Sequence, residues 1–264
     1  MTRPIVFLTD YGRRDAFVGI CHGVMARIAP DARVIDLTHA VPRQDVLRGA
    51  VELARAVPYM PEDAIYVAVV DPGVGSDRRA VAAAAGASLL VGPDNGALSL
   101  AWEALGGVTE VVEIESPAVV LAPVSRTFHG RDIFAPAAAH LAAGTPLGDL
   151  GPAVDPASLE RLDVPGPMVA AGAVGARVTA TDGFGNVQLN ATELDLEAAG
   201  IADDRVLVVN GRRLPRAGTF AELPERDPGF IVDSEGHLAI VVNQGNAAMM
   251  LRLAAGDAVV VEGC

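Results

Sequence analysis

Short apolar runs that stop at a carboxylate, separated by stretches of helical periodicity, fill the first half of this chain and restrict it to a layered α/β architecture. Residues 4–9 form one such run and stop at Asp10; residues 64–70 form another and stop at Asp71. Between them, Asp15 is placed to cap a helix reaching about Ile28, with Phe17, Ile20, Cys21, Val24 and Ile28 on one stripe. Residues 33–37 read as a second strand, and Asp45 opens a second helix with Val46, Ala50, Leu53 and Val57 at helical spacing. Strands follow near residues 79–84, 88–91 and 110–114, with helices near 97–105 and 131–142. Such alternation implies a largely parallel sheet covered on both faces.

From about residue 144 the pattern changes. A stretch rich in Pro, Gly and Asp carries no periodicity and reads as a linker. Beyond it come short β-like runs at 168–181, 187–189, 205–209, 230–232, 237–242 and 258–261, with turn signals such as Asp182-Gly183 and Asn210-Gly211. The expected organisation is an α/β domain over 1–145, a linker over 146–167 and a small all-β, barrel-like domain over 168–264.

Composition removes several functions. All twenty cationic residues are Arg, so Schiff-base, pyridoxal-phosphate and P-loop lysine chemistry is excluded. A net charge of −13 argues against a nucleic-acid groove. The two cysteines, Cys21 and Cys264, form no CxxC pair, which excludes a thiolate zinc site and fits a reducing, cytoplasmic setting. No run has the length of a signal peptide core or a membrane span, so no membrane association is expected.

Polar clusters sit where strands should end: Thr9-Asp10-Tyr11-Gly12, Asp71 through Arg79, Pro93-Asp94-Asn95-Gly96 and Phe128-His129-Gly130-Arg131-Asp132. Open α/β sheets bind ligands at that edge. Each cluster alone reads most simply as a turn. Together LTDYG, IDLTHAVP, VDPGVGSDRRA, GPDNG, TFHGRDIFAPAAAHLA, DGFGNV and NQGNAA, in this order, resemble the S-adenosyl-L-methionine (SAM) hydroxide adenosyltransferases, relatives of fluorinase and chlorinase.

That resemblance implies an N-terminal α/β domain, a C-terminal β-barrel, a homotrimer with sites at subunit interfaces, and hydrolysis of SAM to adenosine and methionine. SAM is then the substrate, and no cofactor or metal is implied. The family's Asp–Arg–His triad maps onto Asp71, Arg78 and His129, with Arg79 as the alternative arginine. Asp10 matches a ribose-diol carboxylate and Asn186 an adenine-reading amide. Asp182, Ser234 and Glu235 match the methionine end, Phe128 and Phe184 pack on the nucleoside, and Asn243 lies in a matching loop.

The chemistry suits these residue types. SAM carries its own neutral leaving group, so the missing element is a competent nucleophile; bulk water, with a pKa of about 15.7, is a poor one. A guanidinium favours the anionic form of a neighbouring water. His129 is a candidate to take or relay the proton, and Asp71 to orient the water or the cation. Halide-using relatives carry Tyr at the position of Asp71, and fluorinase carries Ser at that of Gly130. A carboxylate at 71 repels a halide. Competing readings are a chlorinase-like transferase, a non-catalytic adenosine or SAM sensor, and a metal phosphohydrolase built on Asp10, Asp71, His129 and Asp132. His39 reads as a structural hydrogen-bond partner; His22, His140 and His237 have no expected catalytic role.

Overall fold

Alternation along β1 (Ile5–Thr9) sets out two cores: Ile5 and Phe7 face one side of the sheet, Val6 and Leu8 the other, all fully buried. The structure, a computed structural model, describes residues 2–202 and 204–264. They fall into two units, Met1–Asp163 and Val164–Cys264. The first continues with α1 (Phe17–Ile28), β2 (Val34–Thr38), α2 (Val46–Ala56), β3 (Ile65–Val69), β4 (Ala80–Ala85), β5 (Ser88–Pro93), α3 (Ser99–Ala104), β6 (Val108–Glu113), a π-helical turn (Gly130–Phe134) and α4 (Ala135–Ala142).

The strand order is β2-β1-β3-β5-β4-β6. Pairs β1–β2, β1–β3 and β3–β5 are parallel. β4 runs antiparallel to both its neighbours, because only Gly86 and Ala87 separate it from β5. So short a link makes a hairpin; a parallel crossover needs a dozen residues or more. Cys21, Val24 and Met25 of α1 join the α4 alanines on the Phe7 side, while Leu53 of α2 and Ala101 and Trp102 of α3 cover the Leu8 side.

Two local expectations need correction. The residue preceding α1 is Ala16, which makes no side-chain cap, so Asp15 does not cap the helix. Asp45 does cap α2, its Oδ1 accepting from the Arg48 N–H at 2.9 Å. The stretch 146–163, expected as linker, packs on the sheet: the Val154 N–H donates to the Val111 carbonyl at 2.9 Å, and Leu150 and Leu159 are buried. Proline and glycine hid an irregular but ordered path.

The second unit holds β7 (Met168–Ala170), β8 (Ala173–Thr181), β9 (Val187–Thr192), α5 (Glu193–Ala199), β10 (Val206–Val209), β11 (Arg212–Pro215), β12 (Pro228–Val232), β13 (His237–Val242), α6 (Ala247–Leu251) and β14 (Ala258–Glu262). Its antiparallel sheet runs β11-β10-β14-β8-β9-β13-β12, with β7 on β8, and a bridge from Arg216 to Phe230 nearly closes it into a barrel. The single run expected at 168–181 is two strands turning at Ala171-Gly172. Helix α5 escaped the sequence reading, although Thr192 and Asp195 form a capping box at its start.

Candidate active site

The carboxyl ends of β1 and β3, the residues entering β4 and the π-helical turn meet at one edge of the first sheet. Strand order reverses between β1 and β3 there, the position where such sheets bind ligands. Asp71 follows β3. The loop after it turns tightly, with the Val74 N–H donating to the Asp71 carbonyl at 3.3 Å. Gly75, at φ +79°, passes so close to Arg126 that a Cβ would lie 2.4 Å from its carbonyl oxygen. The turn returns the chain to β4 with Arg78 facing Asp71.

Arg78 is the hub. Its Nε donates to Asp71 Oδ1 at 3.0 Å and Oδ2 at 3.1 Å, and its Nη2 also reaches Oδ2. The same Nη2 lies 2.7 Å from His129 Nδ1, and the guanidinium sits 5.2 Å over the Phe134 ring. Side chains of Arg78 and Asp71 are only 10% and 6% exposed. A guanidinium has no lone pair to offer, so His129 Nδ1 must accept and the neutral ring carries its proton on Nε2. Burial lowers the His129 pKa, and the Arg78 charge lowers it further. Asp71 and a hydrogen bond with the Ser125 backbone oppose this without reversing it.

Arg79 belongs to a different arrangement. It pairs with Asp94 through Nε at 2.9 Å and reaches the Ser158 carbonyl at 2.6 Å. Asp94 also accepts from the Glu160 N–H at 2.8 Å, and Asn95 binds the Val70 carbonyl at 3.0 Å. The GPDNG loop therefore serves the fold.

Asp10 follows β1 and accepts from the Gln44 N–H at 2.8 Å. Phe128 meets Tyr11 edge-on at 5.8 Å and Phe17 at 5.1 Å. Tyr11, to which the LTDYG cluster gave no separate role, closes the space beside the π turn: a Cβ on Gly130 would lie 2.1 Å from its hydroxyl oxygen. Burial raises the Tyr11 pKa well above its ordinary value, with Cys21, Asp10 and Asp71 adding to the effect. Burial likewise pushes the Cys21 thiol up to about 12, so it is an inert core group.

Asp132 does not present itself as a metal ligand. Burial acts to raise its pKa, but hydrogen bonds from Arg131 and Ser125 outweigh that and hold it below the usual range. Among the described residues, the clusters with metal-ligand spacing are His22–Asp36–His39 and Asp233–Glu235–His237, and neither contains Asp71 or His129.

The remaining expected residues lie in the second unit. Asp182, Asn186, Ser234 and Glu235 line a cavity of about 320 Å³, together with Thr219 and Phe220. Phe184, Asn186 and Asn243 line a neighbouring one of about 650 Å³. Asp182 Oδ1 accepts from the N–H groups of Phe184 and Asn186, each at 2.9 Å, and Oδ2 accepts from the Asn186 side chain at 2.7 Å. Asn243 donates to the Leu223 carbonyl at 2.9 Å. Phe220 and Asn246 also border these cavities; Asn246 lies in the NQGNAA motif without having been assigned a role, and Phe220 carried no sequence signal.

Residues 5–151 match the SAM hydroxide adenosyltransferase N-terminal domain, and residues 176–260 match that family's C-terminal domain. The chain belongs to this family. It is 53% identical to an (R)-S-adenosyl-L-methionine hydrolase of Salinispora arenicola, covering 96% of this chain and 95% of the relative. It is 30% identical to a fluorinase of an Actinoplanes species, covering 97% and 96%. The crystal structure of an uncharacterised conserved protein from Thermotoga maritima superposes with a TM-score of 0.90 at 36% identity, covering 97% of this chain and 99% of that one. Among the described residues no helix is long and apolar enough to cross a membrane.

Proposed function

We propose that this family member hydrolyses SAM to adenosine and methionine by attack of water on C5′, without a metal or cofactor. The observation that carries the reading is the Arg78 guanidinium, nearly buried and aligned by Asp71 and His129 at the ligand-binding edge of the sheet. The curated relative at 53% identity is named for hydrolysis of the (R) form, and the proposal adopts that configuration at sulfur. A new O–C5′ bond forms in line with the breaking C5′–S bond, whose electron pair leaves on methionine sulfur. No acid is required, because the departing thioether is neutral.

Arg78 favours the anionic form of the water beside it as that water gives up its proton, an effect enlarged by exclusion of solvent. Asp71 directs both oxygens at Arg78 and is assigned to orienting the cation. His129, accepting from Arg78 at Nδ1, has no lone pair for a water proton in this state. It acts as a positioning partner, and the proton passes to solvent. Asp10 is assigned to the ribose diol and Phe128 to the nucleoside face. In the second unit Phe184 packs on the nucleoside, Asn186 reads adenine, and Asp182, Ser234 and Glu235 contact the amino-acid end, with Asn243 shaping the wall. A cytoplasmic homotrimer with sites at subunit interfaces completes the proposal.

Heavy-oxygen water tests it. Incubation with each sulfonium epimer of SAM should yield adenosine labelled at the 5′ oxygen, faster from the (R) form, and turnover should survive EDTA. Adenosine without label would overturn direct attack by water. A halogenated nucleoside formed in chloride would instead favour the transferase reading.

A further inference from the structure

We propose that His22, Asp36 and His39 form a binding site for a divalent transition-metal ion of the zinc type, separate from the Asp71–Arg78–His129 cluster. The residues arrive from three places: His22 from α1, Asp36 from β2 and His39 from the loop after β2. Their ligating atoms all lie within 4.8 Å of one another. His22 Nε2 is 2.7 Å and His39 Nε2 is 3.1 Å from Asp36 Oδ1. Zinc bonds of about 2.0–2.2 Å set tetrahedral ligand atoms roughly 3.3 Å apart, so the two contacts to Asp36 would lengthen by roughly 0.2 to 0.6 Å.

An orphaned atom points to the ligand. His39 is 1% exposed, yet its Nε2 has no hydrogen-bond partner; it approaches Asp36 without the alignment a hydrogen bond needs. Leaving such a group unmet costs about 1–3 kcal/mol. The other ring nitrogen, Nδ1, lies 2.9 Å from Thr9 Oγ1. An imidazole held through one nitrogen by an oxygen, with the second turned toward a carboxylate and another imidazole, has the arrangement of a metal ligand with its outer support. Phe7 meets the His39 ring edge-on at 4.9 Å and forms an apolar wall. His22 and Asp36 are about a third exposed, at 34% and 35%, which leaves an entry path and room for a water as fourth ligand. Two imidazoles and one carboxylate suit zinc, cobalt or nickel better than magnesium or calcium, which prefer all-oxygen sets. The plainer reading, a carboxylate hydrogen-bonded between two imidazoles, accounts for His22 at 2.7 Å but gives His39 Nε2 only a misaligned contact at 3.1 Å.

A bound ion would fasten α1 to β2 and to the loop whose His39 carbonyl accepts from the Gly12 N–H at 2.7 Å. The proposal stands independently of the SAM reading. The full chain, stripped with chelator and dialysed, should take up one zinc per chain and melt at a higher temperature with zinc present. Cobalt should give visible absorption bands of tetrahedral type. His22→Ala and Asp36→Asn, both at partly exposed positions, should each weaken zinc binding by at least about tenfold and abolish the thermal shift. His237→Ala should leave both intact. No stoichiometric uptake, unchanged binding in His22→Ala, or loss of binding in His237→Ala would each overturn the proposal.

Discussion

Arg78 and Arg79 are consecutive, each pairs with an aspartate, and they do different work. Arg78 joins the loop after β3 to the π turn and lies against Phe134. Arg79 joins Asp94 to Ser158 and thereby secures the irregular stretch after residue 146. The cause is the two-residue period of the strand they enter. Ala80 and Ala82 face the core that holds Phe134; Val81 and Ala83 face the core that holds Leu159. Arg78 continues the first row and Arg79 the second. One register step separates a cation placed at the ligand edge from a cation that fastens a loop.

Exchanging the two roles by mutation tests this contrast. Arg78→Ala should give the largest effect, a fall in kcat on the order of 10²–10³, or about 3–4 kcal/mol, with KM changed far less, because the anionic nucleophile it favours forms only during reaction. Steady-state kinetics with SAM reads this; a rise in KM at unchanged kcat would assign Arg78 to ground-state binding. Asp71→Asn keeps the shape but removes the anion that aligns Arg78. It should lower kcat by roughly 10- to 100-fold, about 1.4–2.7 kcal/mol of activation free energy. It should also lower Tm, since an uncompensated buried cation remains. Arg79→Ala should reverse the pattern. Asp94, with a side chain only 4% exposed, loses its ion pair. Unfolding free energy should fall by about 1–3 kcal/mol while turnover per folded molecule is retained. If Arg79→Ala abolished turnover without a change in Tm, the division between the two arginines would fail.

The same contrast shows how far the sequence could be read. Apolar runs stopping at Asp10 and Asp71 marked the carboxyl edge of the sheet, because a buried strand and its polar end are local patterns. The choice between Arg78 and Arg79 stayed open, because it depends on which helix covers which face, and that is tertiary information. The reversal of β4 was present in the two-residue Gly86-Ala87 link but was masked by the stronger α/β alternation. The order in residues 146–163 comes from long-range bonds, such as Arg79 to Ser158, that no local pattern announces. The histidine tautomer needed the distance to Arg78. In the second unit, Thr192 and Asp195 marked the start of α5, a capping signal overlooked among β-like runs.

The smallest expected effect concerns the proton on His129. Burial and the Arg78 charge hold its pKa below the ordinary value near 6.5, so the neutral ring persists into mildly acidic solution. Protonation at Nδ1 would place a second positive charge against Arg78 and remove the acceptor that holds Nη2. Turnover should therefore fall on the acid side, with its inflection below 6.5. The neutral ring's contribution to stability is present above 6.5 and is lost as pH falls through the lower folded value. Arg78→Ala removes one depressing charge and leaves Asp71, which acts upward, without its partner. The His129 pKa should rise in that variant. Titration of the ring resonance by NMR measures the shift in the folded protein, independent of the lost activity. A His129 titration unchanged by Arg78→Ala would mean that the two side chains are not in contact in solution, and the contrast between Arg78 and Arg79 would lose its electrostatic basis.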